Sequence, residues 1–95
     1  MKSNYTIKIP ENFTVNEVVE FRARVNELIK NGTINFIFDF IECKFIDSTG
    51  LGALVSIYKK CVEREGSIKL KHLNSNIEKL FKLTRLDKVF EIDNI

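Results

Sequence analysis

Thr33-Ile34-Asn35-Phe36-Ile37-Phe38-Asp39-Phe40-Ile41 decides how this chain is read. The run is too short for a typical helix, and its phenylalanines and isoleucines suit a pleated strand. Near-continuous apolarity predicts a central strand of a parallel sheet, covered on both faces. Downstream of Glu42–Asp47, Leu51, Leu54, Val55, Tyr58, Cys61 and Val62 recur at helical spacing. They predict a helix from about Thr49 to Glu65, stopped by Gly66. Ser67–Leu73 then sets Ile68 and Leu70 against Lys69 and Lys71, a strand with one wet face. Ser75-Asn76-Ile77-Glu78 fits a capping box and opens a short helix through Ile77, Leu80, Phe81 and Thr84. Leu86-Asp87 leads into a last short strand, Val89-Phe90-Glu91-Ile92.

Upstream, Tyr5-Thr6-Ile7-Lys8-Ile9 alternates with period two and ends at Pro10, which cannot donate to a ladder. Thr14-Val15-Asn16-Glu17 fits another capping box, with Phe13 placed to staple onto Val18. Val18, Phe21, Val25 and Leu28 form the core stripe of a helix from Val15 to about Lys30, widened by Val15, Val19 and Ile29. Asn31-Gly32 closes it with residues that tolerate left-handed backbone. The order is β-α-β-α-β-α-β. The expected fold is α/β, one domain over residues 1–95, with about four mostly parallel strands and helices packed against them.

The composition suits a soluble domain. In 95 residues, 44% are hydrophobic and 29% charged, and the formal net charge is only +2. No basic stripe marks a nucleic-acid footprint, so no direct nucleic-acid partner is expected. The uncharged run Ser48–Tyr58 is about half of the ~20 apolar residues that a membrane span needs. The N-terminus lacks a signal-peptide pattern, and Cys43 and Cys61 form no disulfide framework. A cytoplasmic protein with reduced thiols is expected.

The segment with chemical potential is Phe45-Ile46-Asp47-Ser48-Thr49-Gly50-Leu51-Gly52, which opens the second helix. Asp47 or Ser48 can cap that helix. Gly50 and Gly52 either bring it close to the sheet or leave space for a partner. Local chemistry alone favours a cap and tight turn. Ser48 as a nucleophile needs a base, yet the one histidine, His72, shares the parity of Ile68 and Leu70 and suits packing. There is no nucleophile elbow around it. As a phosphate acceptor, Ser48 needs only exposure, and a phosphate would add about −1.5 to −2 charges beside Asp47. The glycines spell no nucleotide fingerprint. Cys43, Cys61 and His72 are too scattered for zinc, and Cys61 lies on its helix's core stripe. Asp39 lacks the acidic cluster of a receiver domain. Lys79, Lys82, Arg85 and Lys88 are spaced as a solvated face. Neither cofactor nor metal is expected.

From about Ile34 to Ile92, this sequence resembles the STAS domains of bacterial anti-sigma factor antagonists (anti-anti-sigma factors). The resemblance rests on Phe45–Gly52, the Gly66 break and Leu80-Phe81-Lys82-Leu83-Thr84-Arg85-Leu86-Asp87-Lys88-Val89-Phe90 at its family distance. It implies a single STAS domain and a non-catalytic phosphoprotein that works by partner switching in transcription regulation. Ser48 would be phosphorylated by an anti-sigma factor that is itself a serine protein kinase. Asp47, Ser48, Thr49, Gly50 and Leu51 would bind that partner while Ser48 is unmodified. A PP2C-type phosphatase would restore binding. The N-terminal third departs from the family pattern: there is room for one strand before the helix, Pro10-Glu11-Asn12-Phe13 stands at the usual turn, and Phe13 replaces its aspartate. The missing strand would leave a sheet edge needing a guard. An alternative within the fold is a docking subunit of an ABC-type transport ATPase, without phosphoregulation. An enzymatic reading, with Ser48 as hydrolase nucleophile, lacks a base.

Overall fold

In a computed structural model, which describes residues 4–93, the Phe-rich run forms the centre of the sheet. In chain order the elements are β1 (Tyr5–Lys8), β2 (Asn12–Phe13), α1 (Val15–Lys30), β3 (Asn35–Asp39), β4 (Phe45–Ile46), α2 (Ser48–Glu63), β5 (Ser67–Lys71), α3 (Ser75–Leu83), a 3-10 turn at Leu86–Lys88, and β6 (Glu91–Asp93). The main sheet has order β1-β3-β5-β6, parallel at every pairing. β3 lies inside it, as expected of its composition.

Register explains the layers. Ile7, Phe38, Leu70 and Ile92 stand side by side, with Phe36 beside Ile68, and this face meets the helices. Val18, Phe21, Val25 and Ile29 of α1 and Leu51, Leu54, Ile57 and Cys61 of α2 are buried in the same core. Phe81 of α3 joins it edge-on to Phe40 and Phe90, at 6.1 and 6.0 Å. The opposite face carries Thr6, Ile37, Lys69 and Glu91 in one row and Lys8, Asp39, Lys71 and Asp93 in the next. β3 is therefore central but covered on one face only. Ile37 is half-buried, and Ile41 lies beyond the strand and 59% exposed. Ile37 and Ile41, on the opposite parity to Phe36, Phe38 and Phe40, made a one-sided strand look two-sided.

Other expectations are corrected locally. Asn12–Phe13 forms a second strand ahead of α1, so the N-terminal third holds two strands. It pairs in parallel with Phe45–Ile46 as a separate small sheet. Phe13 is fully buried and packs against Phe21, ring centres 4.9 Å apart. Thr14 is the N-cap of α1, but its hydroxyl donates to the Glu17 carboxylate at 2.8 Å and accepts from no amide. That bond, aided by backbone hydrogen bonds at Glu17 and Thr14 and opposed by burial, holds the Glu17 carboxyl below its usual range. Asn74, not Ser75, caps α3: its Oδ1 accepts from the Ile77 amide at 2.9 Å while its Nδ2 donates to the Cys43 carbonyl. An asparagine can do both, whereas a serine at the next position cannot reach. Val15, Val19 and Val62, expected in the core stripes, are 57%, 66% and 46% exposed.

The α2 helix ends with Glu65, rather than the glycine, in left-handed backbone (φ 64°). Gly66 is required for a different reason: a Cβ there would run into the Ile34 carbonyl and side chain. His72 also has positive φ (59°), which breaks the strand's alternation and turns the ring outward, where Nδ1 meets Asp39 Oδ1 at 2.8 Å. It is exposed, not a packing residue. Burial acts to raise the Asp39 carboxyl, but the His72 and Ile41 hydrogen bonds, with the charges of His72 and Lys8, outweigh it and hold it low.

Candidate functional site

The segment between β3 and α2 is held from two sides. The amides of Lys44 and Phe45 donate to the Glu11 carbonyl at 2.8 and 3.1 Å, and Asn74 grips the Cys43 carbonyl at 3.1 Å. β4 then pairs with β2, Phe13 opposite Ile46, and leads through Asp47 directly into α2. Asp47, in extended backbone, is the N-cap. Its Oδ1 accepts from the Gly50 amide at 2.9 Å, and its carbonyl accepts from the Leu51 amide at 3.0 Å. Ser48 cannot share that role, being already the first helical residue.

The five candidate residues divide by this geometry. Ser48 and Thr49 are exposed, Asp47 is half-buried, and Gly50 and Leu51 are buried beneath them. Ser48 makes no side-chain hydrogen bond among the described residues, so its hydroxyl is presented outward. The amides of Ser48 and Thr49 likewise have no acceptor among the described residues, an arrangement that accommodates an anion. Gly50 and Leu51 act by position. A Cβ on Gly50 would lie 2.5 Å from the Phe13 carbonyl oxygen and 2.7 Å from Ile46 Cγ1. Gly52 faces open space, with nothing within 4 Å of its would-be Cβ. The two glycines thus do different things: one lets the helix start against β2, the other leaves room outside.

That contrast gives a direct test. Gly50→Ala is expected to cost about 1–3 kcal/mol from overpacking, exceeding the ~1 kcal/mol gained in helix propensity. Gly52→Ala keeps the propensity gain and should stabilise by up to ~1 kcal/mol. Urea denaturation of both variants measures this. A Gly50→Ala midpoint at or above wild type would mean that α2 does not press on β2.

His72 Nδ1 pairs with Asp39 Oδ1 at 2.8 Å, and among the described residues no hydrogen bond joins His72 to Ser48. Among the described residues, no group of three His, Cys, Asp or Glu side chains could hold a metal ion. Both cysteines are free and buried, and burial pushes the Cys61 thiol up to about 11. No helix among the described residues is long and apolar enough to cross a membrane. Sequence reasoning missed Phe45, which is 54% exposed three residues before Ser48. A strand of two residues shows no period, so nothing in the local sequence told Phe45 from buried Ile46.

The STAS domain family model matches residues 2–94. The anti-sigma-B factor antagonist of Listeria monocytogenes is 34% identical over 67 residues, covering 70% of this chain and 58% of that protein. The chain therefore spans less than two thirds of that relative's length. Among solved structures, the anti-sigma factor antagonist SpoIIAA in its unphosphorylated form superposes with a TM-score of 0.80 at 18% identity, covering 100% of this chain and 83% of that one. The phosphorylated form of SpoIIAA from Bacillus gives 0.80 at 19% identity, covering 100% and 85%. A sulfate transporter family protein from Wolinella succinogenes gives 0.73 at 17% identity, covering 97% and 78%. These structural likenesses show the fold.

Proposed function

This chain belongs to the STAS domain family, and from that premise we propose that it is an anti-sigma factor antagonist, a non-catalytic switch in sigma-factor-dependent transcription. It docks on an anti-sigma factor that is also a serine protein kinase while Ser48 carries a free hydroxyl. Phosphorylation of Ser48 releases it, and a PP2C-type phosphatase resets it. The observation that carries this reading is Ser48 itself: exposed, without a side-chain partner among the described residues, on the first turn of a helix capped by its neighbour Asp47. The name of the Listeria relative supports the antagonist role. So does the existence of SpoIIAA, a protein of the same fold, in phosphorylated and unphosphorylated forms. Likeness to the Wolinella protein reaches the fold alone and gives the transport-docking alternative no support of its own. The two buried, free thiols suit a cytoplasmic setting.

Phosphopeptide mapping tests the acceptor. After incubation with its kinase partner and ATP, the label is expected on Ser48. Ser56 is a poorer substrate, half-buried within α2 with its hydroxyl near Arg22 Nη1 (3.5 Å). Label retained at full stoichiometry in Ser48→Ala would move the acceptor elsewhere and end this assignment.

A further inference from the structure

The two longest helices start level with each other. β2 and β4 pair in parallel with Phe13 opposite Ile46, and each runs through a single cap residue, Thr14 or Asp47, into a helix of 16 residues. The register persists along their length: Arg22 Nη1 reaches Ser56 Oγ at 3.5 Å, Lys60 Nζ reaches Asn26 Oδ1 at 2.8 Å, and Arg64 Nη1 reaches the Ile29 carbonyl at 3.0 Å. α1 and α2 are therefore parallel neighbours with a constant offset of 34 to 35 residues. That places Val15 level with Thr49, the neighbour of Ser48, and Val19, one turn on, level with Ala53, the neighbour of Gly52.

Val15 and Val19 are 57% and 66% exposed, on one face of α1 by their spacing. Single exposed valines need no explanation, but two on adjacent turns next to a candidate docking residue form a patch. No charged residue occurs between Ser48 and Tyr58 on the α2 side, and Gly52 leaves open space. Further along, the groove turns basic at Arg22 and Lys60. An uncharged centre, bounded by Asp47 at one end and by Arg22 and Lys60 at the other, is the anatomy of an interface core and its charged rim.

We infer that Val15 and Val19 of α1 and Ser48, Thr49 and Gly52 of α2 form one continuous docking surface for the serine-kinase anti-sigma factor. Its occupant presents an apolar face over Val15, Val19 and Gly52, and acidic groups where it passes Arg22. The inference rests on the functional reading above and adds the first helix to it. The valines supply apolar contact and Ser48 supplies the switch, because a phosphate added there puts about two negative charges at the edge of an apolar contact, beside Asp47.

The test uses the full chain and purified serine-kinase anti-sigma factors of its host, titrated calorimetrically to find the one that binds wild type. Val15→Asp and Val19→Asp should each weaken that binding about tenfold or more. Both sites are exposed, and an acidic residue at Val15 suits a helix's first turn, so melting temperatures should stay near wild type. Val62→Asp, on an exposed valine about 21 Å along α2 from Ser48, should bind as wild type. If both valine variants bind as wild type while Ser48→Asp loses binding, α1 is outside the interface and this inference fails alone. Equal loss in Val62→Asp also overturns it. If no kinase of this class binds the wild-type chain, the functional reading fails and this surface with it.

Discussion

Phe38→Ala is expected to remove about 3–5 kcal/mol of stability, as befits a large core side chain. Phe38 has no exposed surface and stands in the inner row of the sheet between Ile7 and Leu70. Its ring packs edge-on to Phe21 at 5.3 Å and tilted against Phe36 at 5.6 Å. Those contacts continue outward, from Phe36 to Tyr5 at 6.4 Å and from Phe21 to Phe13 at 4.9 Å. Phe13 in turn abuts Gly50, so the aromatic line runs from the sheet edge to the start of α2. Removing its middle ring leaves a void that neighbours on a hydrogen-bonded strand cannot fill. Total stability for 95 residues is on the order of 5–14 kcal/mol, so the variant should sit close to the unfolding threshold. Ile37→Ala, on the uncovered face of the same strand, should cost under ~1.5 kcal/mol, since a half-buried side chain leaves less of a cavity. Urea melts of both variants with matched m-values decide this. A Phe38→Ala loss no larger than that of Ile37→Ala would mean that the helical layer does not rest on β3.

What the sequence revealed and what it hid follow from the length scale of each signal. α1 was legible to the residue, Val15–Lys30, because Thr14 and Asn31-Gly32 punctuate both ends; Gly32 has φ +102°. The centrality of β3 was legible from the near-continuous apolarity of Thr33–Ile41, although its covering on both faces was not borne out. β2 and β4 were not legible, since two residues show no period. His72 was misplaced because parity assumes an unbroken strand, and its left-handed backbone breaks it. At the site, a cap at Asp47 or Ser48 followed from the preferences of a helix start, and the structure gives the role to Asp47, leaving Ser48 exposed on the first turn. The neighbourhood of Ser48 did not follow, because Val15 lies 33 residues away and reaches it only through the parallel pairing of β2 with β4. Local chemistry can be read from local sequence, whereas the composition of a surface depends on register.

Ser48→Asp is expected to weaken binding to the kinase partner at least about tenfold, a loss of ~1.4 kcal/mol or more, while the melting temperature barely moves. The fold tolerates the change for a local reason. Position 48 is exposed on the first turn of α2, where a negative charge gains about 0.3–1 kcal/mol from the free amides. In the proposed complex the partner meets a small neutral hydroxyl, and burying an unpaired carboxylate at that spot would cost several kcal/mol before any new cation is recruited. A phosphate, with up to twice the charge, should act in the same direction and more strongly. Ser48→Ala adds neither bulk nor charge, loses at most one exposed hydroxyl and should bind within a few-fold of wild type. Calorimetric titration of the Asp and Ala variants against the same kinase, beside thermal melts, separates charge from shape. Equal affinity for the two would sink the phosphoswitch, since charge at Ser48 would then be invisible to the partner. A large drop in melting temperature for Ser48→Asp alone would instead place the switch in the folding of α2, making refolding and not interface desolvation the means of release.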